Sequence, residues 1–278
     1  IGSRMAGAES KMPVMRRIGN LFFAGLLSIL GRQRITDSAS GMRVFRRDVL
    51  ERIYPLPDGL NLTPVMSTRA IHEGIKMAEI PIPYSERLGR SKLSVIRDGK
   101  IFLQSIMWTV MTYNPVRILG LLGILGVGWA SLVALSLLLS RLSGVTSLGA
   151  WGVVALFSAF VTGVSGISIF ALGATFNYLV SLFYKRPIRQ GLFGRPIFTQ
   201  PLERSFGWMG LVGLVIGLAL AIINLLLGVN AGEIERIWLY FLGSAMFILI
   251  GVQLMIYWVL QRVLAELSQR EAQVEKDM

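Results

Sequence analysis

The run Thr36-Asp37-Ser38-Ala39-Ser40-Gly41-Met42-Arg43, followed by Phe45-Arg46-Arg47, gathers a carboxylate, small hydroxyls, a glycine and several arginines. These are the parts a phosphate site needs: close backbone approach, hydrogen-bond donors and a fixed counter-charge. Asp-Ser turns ahead of a strand are common, because the short acceptor side chain caps the turn's own amides. On turn chemistry alone, a capped turn is the simpler reading. A second cluster, Glu86-Arg87-Leu88-Gly89-Arg90-Ser91-Lys92, again sets small residues among cations. It is either a solvated loop or, if it lies at a membrane surface, a cationic loop able to hold a lipid phosphate.

Other chemistries are narrowed by what the chain lacks. It has no cysteine, so it offers no disulfide, no thiolate nucleophile and no Cys-based zinc site. His72 is the single histidine, on a predicted helix between Ile71 and Glu73. It reads as a surface or half-buried structural residue, since no second carboxylate is expected to orient it as a base.

Several elements must position the two clusters. Residues 14–30 form a predicted helix, with Pro13 at N1 and Gly31 at C′. Its apolar residues Val14, Ile18, Leu21, Phe22, Leu26 and Ile29 recur at helical spacing. The expected setting is a core helix rather than one lying on a membrane surface, because Arg16 and Arg17 alone make no strongly basic face. Residues 42–45 and 77–84 read as strands, with short helices at 47–54 and 63–74, an α/β pattern. A helix over 94–113, begun by Ser94, carries Ile101, Phe102, Ile106, Trp108 and Tyr113 toward the apolar half. It is expected to lie along the membrane interface, where Trp and Tyr are enriched, or to serve as a plain packing helix.

Beyond Pro115 the composition changes. The chain is 53% hydrophobic and only 16% charged over its 278 residues, with a mean hydropathy of +0.61. Soluble domains carry about 25% charge, so a membrane protein is indicated. Charge-free runs place four spans near 118–140, 149–183, 206–229 and 237–260, each long enough to cross a core of about 30 Å. Gly120, Gly123, Gly126 and Gly128 in the first span are expected to be helix-packing contacts. Asn177 and Gln253 are strongly polar residues well inside spans, where hydrogen bonding between helices is the default.

Lys185, Arg186, Arg189, Arg195 and Arg204 crowd the link between spans two and three. The Lys/Arg bias of short loops makes that link cytoplasmic, and with it both termini. The net charge of +12 is concentrated ahead of the first span, where 17 Lys and Arg face 9 Asp and Glu over residues 1–115. Beside membrane spans, an anionic lipid surface or a phosphate substrate accounts for this balance better than nucleic acid does. The expected layout is a cytoplasmic part at 1–93, an interfacial helix at 94–115, a four-helix membrane domain at 116–262 and a tail at 263–278.

Taken in order, Gly2-Ser3-Arg4, Arg17 with Gly19-Asn20, Asp37-x-x-Ser40-Gly41-x-Arg43-x-Phe45-Arg46 and Glu86-Arg87-x-Gly89-x-Ser91-Lys92 resemble the C-terminal half of family 2 glycosyltransferases. The nearest likeness is to dolichyl-phosphate mannose synthase and the bacterial polyisoprenyl-phosphate glycosyltransferases. The resemblance covers residues 1 to about 115, and the four spans are similar to the subgroup with a C-terminal membrane anchor. It implies the C-terminal half of a GT-A-type α/β nucleotide-sugar domain, joined to an all-α membrane domain.

The implied reaction moves a sugar from a nucleotide-sugar donor to a membrane polyprenyl phosphate at the cytoplasmic face, with inversion and with Mg²⁺ or Mn²⁺. Asp37, Ser40 and Arg43 would line the reaction centre. Arg4, Arg16 or Arg17 and Asn20 would contact phosphate, and Arg87, Ser91 and Lys92 would form the lipid-side rim. The family's nucleotide-binding strands and Asp-x-Asp metal motif precede its Gly-Ser-Arg, and no Asp-x-Asp occurs here. The expectation is therefore an N-terminally truncated enzyme of a bacterial or archaeal cell membrane, inactive by itself, with no metal ligands of its own. Partners implied are the bilayer, the lipid phosphate, the nucleotide sugar and a possible second copy. The alternative is a non-catalytic membrane scaffold, or a protein that binds or translocates lipid-linked sugar. Against translocation, the four predicted spans carry no ionisable acidic or basic residue.

Overall fold

Pro81 and Pro83 limit how much sheet this chain can form, because neither has an amide hydrogen to give to a ladder. The computed structural model describes residues 1–7, 10–30, 33–85, 94–145, 147–184, 205–231 and 234–277. It pairs β1 (Gly2–Ser3) in parallel with β2 (Ile80–Pro81), Gly2 opposite Ile80 and Ser3 opposite Pro81. The amides of Ile80 and Ile82 donate to the carbonyls of Ile1 and Ser3 at 2.9 and 3.0 Å. Residues 42–45, expected as a strand, form no ladder. Their recorded tie to β1 is the Gly2 amide on the Met42 carbonyl at 2.9 Å. Among the described residues, sheet is confined to these two short strands, and the chain is mostly helical.

Two compact units divide the chain, Ile1–Tyr113 and Asn114–Met278. In the first, α1 (Val14–Leu30) has the expected span, but Pro13 sits just ahead of it rather than at N1. Its carbonyl accepts from the amides of Arg16 and Arg17, both at 3.0 Å. Gly31 lies outside the described residues. The core-helix expectation is overturned, since Val14, Ile18, Leu21, Phe22 and Ile29 are all more than half exposed. The face that packs is narrower: Asn20, Ala24 and Leu27 are buried, and Phe23 meets Phe102 at a ring-centroid distance of 5.5 Å.

Three further helices complete this unit. α2 (Arg47–Ile53) packs on α3 (Leu62–His72) through Ile53, Met66 and Ala70. Gly74, at φ +66°, ends α3 in the left-handed region that favours glycine. The amides of Gly74 and Ile75 then close onto the carbonyls of Ile71 and Ala70. α4 (Val95–Tyr113) is begun by Ser94, whose carbonyl accepts from the Asp98 amide at 2.9 Å. It packs against α1 and α3, and Ile106 and Val110 have no exposed surface. Ile106 therefore belongs to this unit's own core, whereas Trp108 is exposed. His72 is half-buried, with its ring stacked on Tyr113 at 5.0 Å.

The second unit is built from α5 (Pro115–Leu142), α6 (Ala150–Phe183), α7 (Phe206–Ala231) and α8 (Ile234–Asp277). All four contain stretches long and apolar enough to cross a membrane: Pro115–Leu142, Ala150–Phe183, Phe206–Leu226 and Phe241–Ser268. The segment expected as a tail continues the last helix. α5 packs on α6 and α7 on α8, and the two pairs meet through α6 and α8.

Glycine permits the close approach within each pair. A Cβ on Gly123 would lie 2.6 Å from the Gly166 carbonyl oxygen, and one on Gly251 would lie 2.6 Å from the Leu214 nitrogen. Gly126 packs likewise and Gly120 is buried, but Gly128 faces open space and is no packing contact. Between α6 and α8, the Ser168 hydroxyl donates to Gln253, and the Gln261 amide donates to the Thr175 hydroxyl at 3.1 Å. Asn177 is buried.

Candidate functional site

Three segments far apart in the sequence converge where β1 runs into Arg4: residues 3–4, the turn at 36–43, and residues 79–84, which include β2. Ser3 is fully buried, and its hydroxyl lies 2.8 Å from that of Thr36. The Thr36 hydroxyl gives its hydrogen to Glu79 Oε2 at 2.8 Å, so Ser3 is the donor in the first bond. The Thr36 amide donates to both Glu79 oxygens at 2.8 and 3.0 Å, and the Asp37 amide donates to Oε1 at 2.9 Å.

Asp37, held in this way, has no exposed surface. Its carboxylate takes a two-pronged grip on Arg4: Nε donates to Oδ2 and Nη2 to Oδ1, each at 2.7 Å, and the Arg4 backbone amide adds 3.0 Å to Oδ2. Planar guanidinium and carboxylate match in this geometry, which fixes orientation as well as charge. Burial pushes the Asp37 carboxyl up, but hydrogen bonds and charge from Arg4 outweigh it and hold the group below the ordinary carboxylate value. Arg4 is raised correspondingly, chiefly by its hydrogen bond to Asp37. Its guanidinium carbon sits 5.8 Å from the centre of the Tyr84 ring, a cation–π contact, and Arg16 Nη1 donates to the Tyr84 hydroxyl at 3.4 Å.

A cavity of about 370 Å³ takes its polar lining from Arg4, Arg16, Asn20, Tyr84, Thr63, Ser94 and Asp98, and its apolar wall includes Phe23 and Phe102. Asn20 is buried; its amide nitrogen lies 3.5 Å from the Thr36 carbonyl, and its Oδ1 has no protein partner. Asp98, on the same wall, also leaves a buried oxygen unpartnered. Two guanidinium groups against the one carboxylate of Asp98, beside aromatic and thioether surface, leave the lining with more cationic than anionic groups, which suits an anionic head on an apolar body.

The remaining predicted residues fall elsewhere. Arg17 is exposed and does not line the cavity. Arg43 turns into its own loop, where Nε donates to the Ser40 carbonyl at 2.9 Å and Nη2 to the Ser38 carbonyl and the Ser67 hydroxyl at 2.8 and 2.9 Å. Burial brings its pKa down to about 10, against the pull of Asp37. The Ser40 hydroxyl is buried and accepts from the Met42 amide at 3.3 Å. Arg43 and Ser40 thus shape the turn that presents Asp37. Arg87, Ser91 and Lys92 lie outside the described residues.

Glu79 was not singled out from the sequence. The signal available was a lone carboxylate in the otherwise apolar run Ala78-Glu79-Ile80-Pro81-Ile82-Pro83. A divalent ion needs several oxygen ligands, usually carboxylates. Here Asp37 is committed to Arg4 and Glu79 to the Thr36–Asp37 backbone. Among the described residues, no group of three or more His, Asp or Glu side chains could hold a metal. The residues present do not fit the ion that the resemblance implies.

A family model described as a domain of unknown function, DUF8752, matches residues 115–275. The chain belongs to the DUF8752 family. This DUF8752 protein is 35% identical over 106 residues to a dolichyl-phosphate hexose transferase of Haloferax volcanii, covering 38% of this chain and 46% of that one. It is 30% identical over 102 residues to the low-salt glycan biosynthesis hexosyltransferase Agl6 of the same organism, covering 36% and 25%. An uncharacterized protein of Methanocaldococcus jannaschii is 31% identical over 113 residues, covering 38% and 46%. The DUF8752 chain spans less than half the length of these archaeal relatives. No solved structure matches it. The named relatives support a glycosyltransferase-like kind, and the four long apolar helices fit a membrane protein.

Proposed function

We propose that this chain is the acceptor-binding and membrane part of a glycosyltransferase that moves a hexose from a nucleotide-sugar donor to a polyprenyl phosphate such as dolichyl phosphate. The observation that carries the reading is the cavity lined by Arg4, Arg16 and Asn20, with Phe23 and Phe102 beside them. A lipid phosphate needs a cationic seat for its head and apolar surface for its first carbons, and this cavity offers both. The Asp37 grip keeps Arg4 in place and orients it before the ligand arrives, which lowers the ordering cost of binding.

Support also comes from the printed names of the relatives, one a dolichyl-phosphate hexose transferase and another a hexosyltransferase. The exposed apolar face of α1 suits a lipid surface, where such an acceptor resides. On this reading the donor nucleotide and the divalent ion are held by the part of the relatives' length that this chain does not span. Transfer would occur with inversion at the cytoplasmic face, with both termini on that side.

The test is binding of polyprenyl phosphate to the purified protein in lipid nanodiscs. Saturable binding is expected, weakened about ten-fold or more by Arg4→Ala, the scale of one lost charge-assisted hydrogen bond or ion pair. Wild-type affinity in both Arg4→Ala and Arg16→Ala would overturn the assignment of the cavity. Binding of the lipid phosphate by an extended chain that transfers no sugar would favour a non-catalytic scaffold instead.

A further inference from the structure

We infer that Glu79 is a positioning residue for phosphate recognition, acting through Asp37 on Arg4; the inference rests on the acceptor-binding role proposed above. Glu79 receives four hydrogen bonds from two successive residues of the 36–43 turn: three from Thr36, by its amide and hydroxyl, and one from the Asp37 amide, all between 2.8 and 3.0 Å. Two adjacent backbone amides aimed at one carboxylate make an anion-binding nest, which here is filled by the protein's own side chain. The nest is therefore closed to a ligand phosphate, and its effect is to fix the backbone from which the Asp37 side chain projects.

What Glu79 fixes in this way then fixes Arg4. The Asp37 carboxylate spends both oxygens on Arg4, so a shift of the Asp37 backbone moves or breaks the two-pronged pair. Glu79 precedes β2, and the Ile80 amide bonds the Ile1 carbonyl next to β1. The carboxylate is thereby tied to the strand that delivers Arg4, and the loop is registered against that strand by a side chain rather than by a ladder.

Glu79→Met keeps the length of the side chain but accepts nothing, which leaves the amides of Thr36 and Asp37 without their carboxylate. The experiment is a double-mutant cycle on polyprenyl phosphate affinity in nanodiscs, with Glu79→Met, Arg4→Ala and the pair. If Glu79 acts through Arg4, Glu79→Met alone weakens binding about ten-fold and adds nothing in the Arg4→Ala background. Wild-type affinity in Glu79→Met, or an equal further loss in the Arg4→Ala background, would overturn the inference.

Should Glu79→Met not fold, Glu79→Asp draws the carboxylate back from the turn by one methylene while leaving Thr36 and Ser3 intact, and the same cycle decides on a loss of a few-fold. Non-additivity with Arg4→Ala supports the route, and additivity or no loss refutes it. Failure of the wild-type protein to bind the lipid phosphate removes the acceptor reading and this inference together. Wild-type binding with an additive cycle removes this inference alone.

Discussion

Arg4 and Asp37 meet through two parallel hydrogen bonds of 2.7 Å, with the Asp37 carboxylate wholly buried and the Arg4 side chain still 22% exposed. One end of the pair is thus sealed while the other reaches a cavity. Removing one partner of a buried ion pair leaves an uncompensated group, at a cost of about 3 kcal/mol or more. Asp37→Ala is expected to loosen the 33–45 segment far more than it loosens the membrane helices. Hydrogen exchange followed by mass spectrometry would read this as exchange more than about 100-fold faster in that segment alone. Unchanged protection there would mean that the pair does not hold the turn.

The same pair sets a pH dependence. The native Asp37 carboxyl is held below its ordinary value, so its contribution to stability is fully present above the unfolded value of about 3.9 and is lost as pH falls through the lower native value. The thermal midpoint of wild type should therefore exceed that of Asp37→Asn by a constant margin from pH 7 to about 4. The margin should close at more acid pH. A margin that closed between pH 7 and 5 would assign the effect to another group.

Much of the helical architecture was legible because its signals are local. The apolar spacing set the extent of α1, and the charge-free runs after Pro115 placed the four long helices. What could not be read is which side of a helix finds a neighbour. The periodicity of Val14, Ile18 and Phe22 says that α1 has an apolar face, whereas burial depends on what packs there, and in this chain that face is open. The 42–45 segment has the composition of a strand but no partner that extends the ladder beyond one bond. Of the candidate site, Arg4, Arg16 or Arg17, Asn20 and Asp37 were singled out through the resemblance of their order along the chain, Asp37 as a reaction-centre residue and not as the partner of Arg4. Glu79 was not, because its meaning lies in reaching across to a turn more than forty residues away.

The exposed row on α1 makes a prediction of its own. If it lies on a lipid surface, spin labels at positions 18 and 22 should be accessible to oxygen, which concentrates in lipid, and shielded from a water-soluble relaxation agent. These positions occupy one apolar face, as Ile18 and Phe22 are one helical turn apart. Labels exposed to the aqueous agent at both positions would remove the lipid-surface assignment and leave the face to water or to a protein partner.

Glycines on the same helix should respond oppositely to the same substitution. A methyl group at Gly123 would lie 2.6 Å from the Gly166 carbonyl oxygen and 2.7 Å from Phe170 Cβ, both on α6, so Gly123→Ala must force α5 away from it. Overpacking of this kind costs about 1–3 kcal/mol. At Gly128 a Cβ meets nothing within 4 Å, and alanine there gains up to about 1 kcal/mol of helix propensity. Thermal unfolding in detergent should therefore rank Gly128→Ala at or above wild type and Gly123→Ala below it. Equal midpoints for the two variants would show that α5 and α6 are not held at the distance that glycine alone permits.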